Sequence, residues 1–339
     1  MRLYAAIDLH SNNNVLVILD ERDQIVYERR LRNELPLVLV ELAPYRESVQ
    51  AIAVESTFNW YWLVDGLMEA GYTVKLVNTA AVKTYDGLKY TGDEHDARHL
   101  AHLLRLGVLP TGYIYPKEER AVRDLLRKRA QMVRCRTAQI LSIQNLVSRN
   151  SGKGISTTEI RHLDGEAVGR VCGGNSARAL ALQSNLAVMR CLDEQIRGLE
   201  RVVLKEARLK PEFKKLLSVD GIGDILSMTI MYETGTLERF AKVGEFASYA
   251  RCVSSSRWSN GKKKGTGNRK NGNKYLAWAF IEAAVYAVRY NERIRRFHQR
   301  KKARTNGIVA LKAVAHKLAR ACYHVMKGQE PFEEARAFA

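Results

Sequence analysis

The first hundred residues carry short apolar runs separated by polar turns. Leu3–Leu9 is an apolar strand pattern with Asp8 near its end. Asn14–Asp20 and Gln24–Arg30 follow as strands across the turn-like Asp20-Glu21-Arg22-Asp23. Leu35–Tyr45 is long enough for a helix, with Pro36 in its first turn. Gln50–Glu55 is a compact strand ending on a carboxylate. It is followed by a helix over Trp60–Ala70, a strand over Thr73–Val77 and a helix over Asp93–Leu106. Three strands followed by alternating helix and strand predict an α/β layer with a mixed sheet.

From Glu118 the period changes. Leu126, Val133, Ile140 and Val147 recur every seven residues through an Arg-dense stretch. Leu182, Leu186, Met189, Ile196, Leu199 and Val203 show the same 3/4 spacing. Both runs predict long helices packing on each other or on a partner chain. The Gly/Ser/Thr-rich segment Ser151–Ser176 between them reads as looped or partly ordered. Pro211 marks the next boundary, and residues 211–328 read as helical apart from Ser254–Asn273. That stretch is built of Gly, Asn, Ser and basic residues and reads as a loop that orders on binding. The organisation expected is therefore α/β plus all-α: a mixed-sheet domain over 1–116, a coiled-coil-like helical connector over 117–210, a helical domain over 211–328 and a tail over 329–339.

Charge adds a partner to this picture. The 339 residues hold 55 Lys+Arg against 36 Asp+Glu, a net of +19. The excess is uneven: residues 1–116 carry 11 basic and 15 acidic side chains, a net of −4, and the remainder carries +23. A basic field of this size recruits a polyanion. It also leaves the acids of the first third in need of another explanation. The five cysteines form no C-x-x-C pair or zinc spacing. With no leader pattern after Met1 and no membrane-length apolar run, a cytoplasmic protein with no membrane partner is expected.

Asp8 and Glu55 each stand near the end of an apolar strand, at the edge of a sheet where functional groups collect. Asp93 and Asp96, three apart, share one face of a predicted helix. Four convergent carboxylates repel one another unless a divalent cation neutralises them, and oxygen-only donors select Mg²⁺ or Mn²⁺. Two such ions activate a nucleophile and stabilise the leaving oxygen of a phosphodiester. Each acid alone is equally a solvated or capping residue, and Asp93 fits a helix N-cap. The order strand-Asp, two strands, strand-Glu, helical Asp-x-x-Asp is what makes them a set. Glu94 and His95 point elsewhere on the helix, and His10 reads as local structure.

Two further segments carry chemistry. Leu217–Ile225 has the apolar-x-Gly-apolar-Gly form of a helix–hairpin–helix turn, whose backbone N–H groups can approach a phosphate; a plain helix connection is the other reading. Ser259-Asn260-Gly261-Lys262-Lys263-Lys264-Gly265 leads to Lys270-Asn271-Gly272-Asn273-Lys274-Tyr275-Leu276, with seven basic residues from Arg257 to Lys274 and no acid. Arg257, Lys262, Lys263, Lys264, Arg269, Lys270 and Lys274 are candidate phosphate contacts, with Trp258 available to stack on a base. Arg293 and Arg296 extend this set into the basic tract over 289–304. The Phe58–Trp62 aromatic cluster reads as packing against the sheet.

Ala-Ile-Asp8-Leu-His, Val-Glu55-Ser and Gly-Asp93-Glu-His-Asp96-Ala resemble the acidic tetrad of the DEDD-type insertion-sequence transposases, which carry a RuvC/RNase H-like domain. The resemblance extends to the Ser-x-Gly-Lys and Lys-x-Gly-(Asn/Asp)-x-Tyr-Leu segments of their transposase domain. It implies that Asp8, Glu55, Asp93 and Asp96 hold Mg²⁺ (or Mn²⁺), and that Ser259, the matching serine, attacks DNA. It further implies DNA as substrate, a guide RNA encoded beside the gene, and dimers associating into tetramers with serine and tetrad from different chains. The neighbouring Ser254, Ser255 and Ser256 lack the Gly-Lys that follows Ser259. A RuvC-like nuclease such as a junction resolvase, with water as nucleophile, and a non-catalytic nucleic-acid-binding protein are the alternative functions.

Overall fold

The computed structural model describes residues 1–82, 92–253, 256–265, 271–328 and 332–338, except for the side chains of Arg257, Trp258 and Lys263. It falls into two units, Met1–Lys117 with Arg257–Asn271, and Glu118–Ser256 with Gly272–Ala339.

The first unit is built on strands β1 (Leu3–Leu9), β2 (Asn13–Leu19), β3 (Ile25–Arg32), β4 (Val49–Glu55) and β5 (Val74–Val77). The sheet order is β3-β2-β1-β4-β5, with β1–β2 and β2–β3 antiparallel and β1–β4 and β4–β5 parallel. This mixed sheet matches the pattern expected from the sequence and is consistent with the RNase H-like class. Helices α1 (Leu35–Leu42), α2 (Tyr61–Glu69) and α3 (Asp93–Arg105) complete the layers. Pro36 sits in the first turn of α1 as expected, where its missing N–H costs nothing.

Side-chain alternation decides what each face of the sheet does. Leu3, Ala5, Ile7 and Leu9 of β1 join Leu63, Val64 and Leu67 of α2 in one core. Ala6 of β1 and Ala53 of β4 face the other way, into a second core with Ala97, Leu100 and Ala101 of α3. Because successive strand residues alternate faces, Asp8 and Glu55 fall on the α3 side with Ala6 and Ala53. The small alanines on both elements let α3 lie close to the sheet. Ala6, Ala53, Ala97 and Ala101 are all fully buried.

In the second unit, α4 (Lys117–Ser151) and α7 (Ser176–Ala207) are the two long helices the apolar spacing predicts. They pack on each other through Ile140, Ile143 and Val147 against Leu182, Leu186 and Met189. Ion pairs Arg136–Asp193 (2.5 Å) and Arg129–Glu200 (2.8 Å) tie the same pair of helices. Ser151–Ser176 does not behave as a loop. It forms α5 (Thr157–Arg161) and α6 (Gly165–Val171), whose Ile160, Leu163, Val168 and Cys172 close the core over α4 and α7. The Ser, Thr and Asp residues that suggested a loop are helix caps: Ser156 and Glu159 make a capping box, and Asp164 caps α6.

The remaining helices are α8 (Pro211–Leu216), α9 (Asp224–Thr234), α10 (Val243–Tyr249), α11 (Lys274–Tyr290), α12 (Glu292–Arg304), α13 (Gly307–Lys327) and α14 (Glu334–Ala337). Their core includes Phe213, Tyr232, Phe246, Phe280, Leu318 and Phe338, and takes in Leu126 and Val203 from the long helices. The turn between α8 and α9 owes Gly221 to packing. Gly221 has φ +84°, and a Cβ there would lie 2.3 Å from Ala283 O and 2.6 Å from Ala287 N of α11. Asp220 beside it accepts a hydrogen bond from Asn291 Nδ2 at 2.9 Å. This segment is thus a helix connection pressed on α11.

Ser254–Asn273, expected as a loop, contains a two-stranded hairpin, β6 (Arg257–Ser259) and β7 (Lys262–Gly265). Asn260 (φ +48°) and Gly261 (φ +68°) make its turn. Asn-Gly with both residues at positive φ is the two-residue turn whose twist matches that of the strands. The hairpin belongs to the first unit.

Candidate active site

Asp8, Glu55 and Asp96 converge. With Thr79, Val82, His99 and Leu100 they line one pocket of about 190 Å³. The register explains the meeting. Ile7 of β1 pairs in parallel with Val54 of β4, so the next residue on each strand is an acid on the α3 face. On α3, Asp96 adjoins Ala97 and lies one turn before Leu100, on the stripe that packs on the sheet. Asp8 is only 4% exposed. Burial, a hydrogen bond with Asp8 and the Asp8 and Asp96 charges push Glu55 up to about 8. Burial and the Asp8 charge also raise Asp96. Three acids in one pocket hold fewer than three negative charges at neutral pH unless a cation joins them.

Asp93 does not line this pocket. Its Oδ2 accepts from Arg30 Nη2 at 2.7 Å, and the Arg30 guanidinium holds the Asp93 carboxyl below its ordinary range. The same guanidinium reaches Glu94 Oε1 at 3.1 Å and, through Nη1, Asn13 Oδ1 at 2.8 Å. Arg30 projects from β3 and carries no local signal in the sequence; only the β2–β3 pairing, Val15 opposite Arg30, brings it here.

His10 lies at the centre of the arrangement. Its Nε2 is 3.3 Å from Asp8 Oδ2 and 3.1 Å from Asp93 Oδ2. That nitrogen is buried and makes no well-directed hydrogen bond to either oxygen. The ligand atoms of Asp8, His10 and Asp93 lie within 4.8 Å of one another. The turn after β1 fixes His10 through its backbone: its N–H donates to Asn13 O (2.9 Å), and its carbonyl accepts from Asn33 Nδ2 (2.9 Å) and Asn59 Nδ2 (3.0 Å). Next along the edge, Trp60 and Trp62 pack against the sheet as expected, but Phe58 is 84% exposed and does not.

Ser259 closes β6 immediately before the Asn260-Gly261 turn, paired with Lys262 across the hairpin, and is exposed. Lys262 and Lys264 are exposed on β7. Arg257 and Lys263 lie on the two strands. Arg269 and Lys270 lie outside the described residues, as do Ser254 and Ser255. Lys274 opens α11, with its Nζ 5.2 Å from the centre of the Tyr275 ring. On α12, Arg296 pairs with Glu292, and Arg293 Nε lies 3.7 Å from Glu334 Oε1. Exposed pairs of this kind are weak.

Part of the downstream motif is structural. Asn273 caps α11, its Oδ1 accepting from Tyr275 N (2.8 Å) and Leu276 N (3.1 Å). Its Nδ2 donates to Glu233 Oε2 at 2.7 Å. Glu233 is 2% exposed and also receives Arg127 Nε and Nη2 at 2.7 and 2.8 Å. A buried carboxylate is tolerated because a bidentate guanidinium and an amide satisfy it. Glu233 stands in an apolar helix with nothing beside it in sequence to announce a partner, so pattern reading passes it over.

Two protein families match this chain. A DEDD transposase domain of the IS110 type matches residues 5–150, and the transposase domain of the IS116/IS110/IS902 family matches residues 213–299. A Pseudomonas aeruginosa protein described as a "probable family 20 transposase" is 26% identical over 246 residues, covering 70% of this chain and 71% of its own length.

Proposed function

Because the chain belongs to the DEDD transposases of the IS110 family, acting on DNA, we propose that it cuts and exchanges DNA strands with cation-bound carboxylates and Ser259 as nucleophile. The observation that carries this reading is the convergence of Asp8, Glu55 and Asp96 on one pocket, where Glu55 keeps its proton up to about 8. These donors fit a divalent cation: they are oxygens, one is deeply buried, and their mutual repulsion is relieved by positive charge. Asp8, Glu55 and Asp96 would hold Mg²⁺ or Mn²⁺, with Asp93 beside them. The bound ion supplies charge neutralisation of the scissile phosphate and of the leaving oxygen.

The chain's own residues do the rest. Ser259, presented at a hairpin tip, forms a bond from its hydroxyl oxygen to phosphorus as one backbone ester bond breaks. The proton lost by Ser259 is balanced by one gained by the departing deoxyribose oxygen, leaving a phosphoserine link. Reversal with a second strand's hydroxyl completes the exchange and regenerates the serine. Lys262 and Lys264, with Arg257 and Lys263 of the same hairpin, take the phosphates on either side. Arg269, Lys270, Lys274, Arg293 and Arg296 are further phosphate contacts in this reading. The +23 carried by residues 117–339 also accommodates an element-encoded guide RNA. Joining two DNAs calls for at least two chains, in keeping with a dimer or tetramer.

A nicked DNA substrate tests the nucleophile. The native protein is expected to leave a denaturation-resistant protein–DNA adduct, and Ser259→Ala to leave none while still binding DNA. Strand joining at the native rate by Ser259→Ala would overturn the serine and favour water. Asp8→Asn is expected to abolish cleavage altogether; cleavage that survives in it, or in EDTA, would remove the carboxylates from the reaction.

A further inference from the structure

We propose that His10 is a metal ligand, and that Asp8 is shared between two cation positions. One position is the pocket of the Asp8, Glu55 and Asp96 carboxylates, whose lining also includes His99. The other is formed by Asp8, His10 and Asp93, whose ligand atoms already lie within 4.8 Å of one another. This rests on the carboxylates being cation ligands, and it assigns a donor that the acidic set does not contain.

The geometry at His10 carries the inference. An imidazole nitrogen that served only as a hydrogen-bond donor would aim along one carboxylate. Instead Nε2 stands at 3.3 Å from Asp8 Oδ2 and 3.1 Å from Asp93 Oδ2, buried and directed along neither. Two carboxylate oxygens and one nitrogen converging on a common point is an arrangement for a cation. Arg30 bears on it from outside: by donating to Asp93 Oδ2 and to Asn13 Oδ1, it fixes the orientation of the Asp93 carboxylate. Arg30 is a positioning residue in this account.

An imidazole in the donor set favours Mn²⁺ and later first-row ions over Mg²⁺. The backbone at His10 is held by hydrogen bonds from Asn33 and Asn59 that involve no His10 side-chain atom, so replacing the imidazole leaves the turn intact.

The test uses the full-length protein with Mn²⁺ alone and no DNA, read by electron paramagnetic resonance. The native chain is expected to take up about two ions, with nitrogen coupling from a directly bound imidazole. His10→Ala is expected to lose one of them together with the nitrogen coupling, and His10→Asp to restore the second ion without it. Asp96→Asn is expected to weaken the Asp8–Glu55–Asp96 position and keep the ion whose nitrogen coupling depends on His10, which guards against a fold defect in the His10 variants. Unchanged nitrogen coupling in His10→Ala, or an unchanged ion count, overturns the proposal while leaving the DNA-cleavage reading standing on Asp8→Asn. Absence of any bound Mn²⁺ in the native chain overturns both.

Discussion

At the scale of single residues, Glu55 is the most informative group. It keeps its proton up to about 8 against an ordinary 4.5, because burial and then Asp8 and Asp96 penalise its charged form. Between those two values the folded chain holds a proton that the unfolded chain has released. Stability of the metal-free protein therefore falls as pH rises from about 4.5 to 8, and is flat above. Thermal melts in EDTA across that window are expected to show this slope in the native protein and its loss in Glu55→Gln. Cation binding displaces the same proton, so Mg²⁺ is expected to restore midpoint stability most strongly at the alkaline end of the window.

At the scale of elements, the α4–α7 tip is a small core of its own. Ile143 is fully buried at its centre among Val147, Ile160, Leu182 and Leu186. Ile143→Ala is expected to remove about 2–5 kcal/mol from the local stability. Amide exchange should accelerate over residues 155–172 and stay unchanged in β1 and β4. The strands, long helices and order of the acids were legible because each rests on local periodicity. Helices α5 and α6 were not, because at five and seven residues they show no full period and their caps resemble loop composition. The hairpin did have a signal, Asn260-Gly261, which a basic, Gly-rich setting obscured. The Asp8–Glu55–Asp96 meeting was foreseeable from strand alternation. The Arg30 hold on Asp93, the His10 position and the Glu233 network depend on pairings between distant segments that no local pattern encodes.

At the scale of the whole molecule, an acidic first third is joined to a strongly basic remainder. DNA affinity is expected to fall steeply with salt. Lys262→Ala should lower the log–log slope by about one, equally for unrelated DNA sequences, if it neutralises one phosphate. Duplex binding measured between low and moderate salt reads this directly. The chain is also unequally tolerant of changes in its own length. Beyond the caps of α5 and α6, an added residue lengthens a connection at little cost. Inside β1 an added residue before Asp8 inverts parity: the carboxylate turns to the face that packs on α2, and Ile7 takes its place at the pocket. Two added residues restore parity and shift only the reach of the strand. Length variation among functional relatives of this chain should therefore collect in even steps, or not at all, between Leu3 and Asp8.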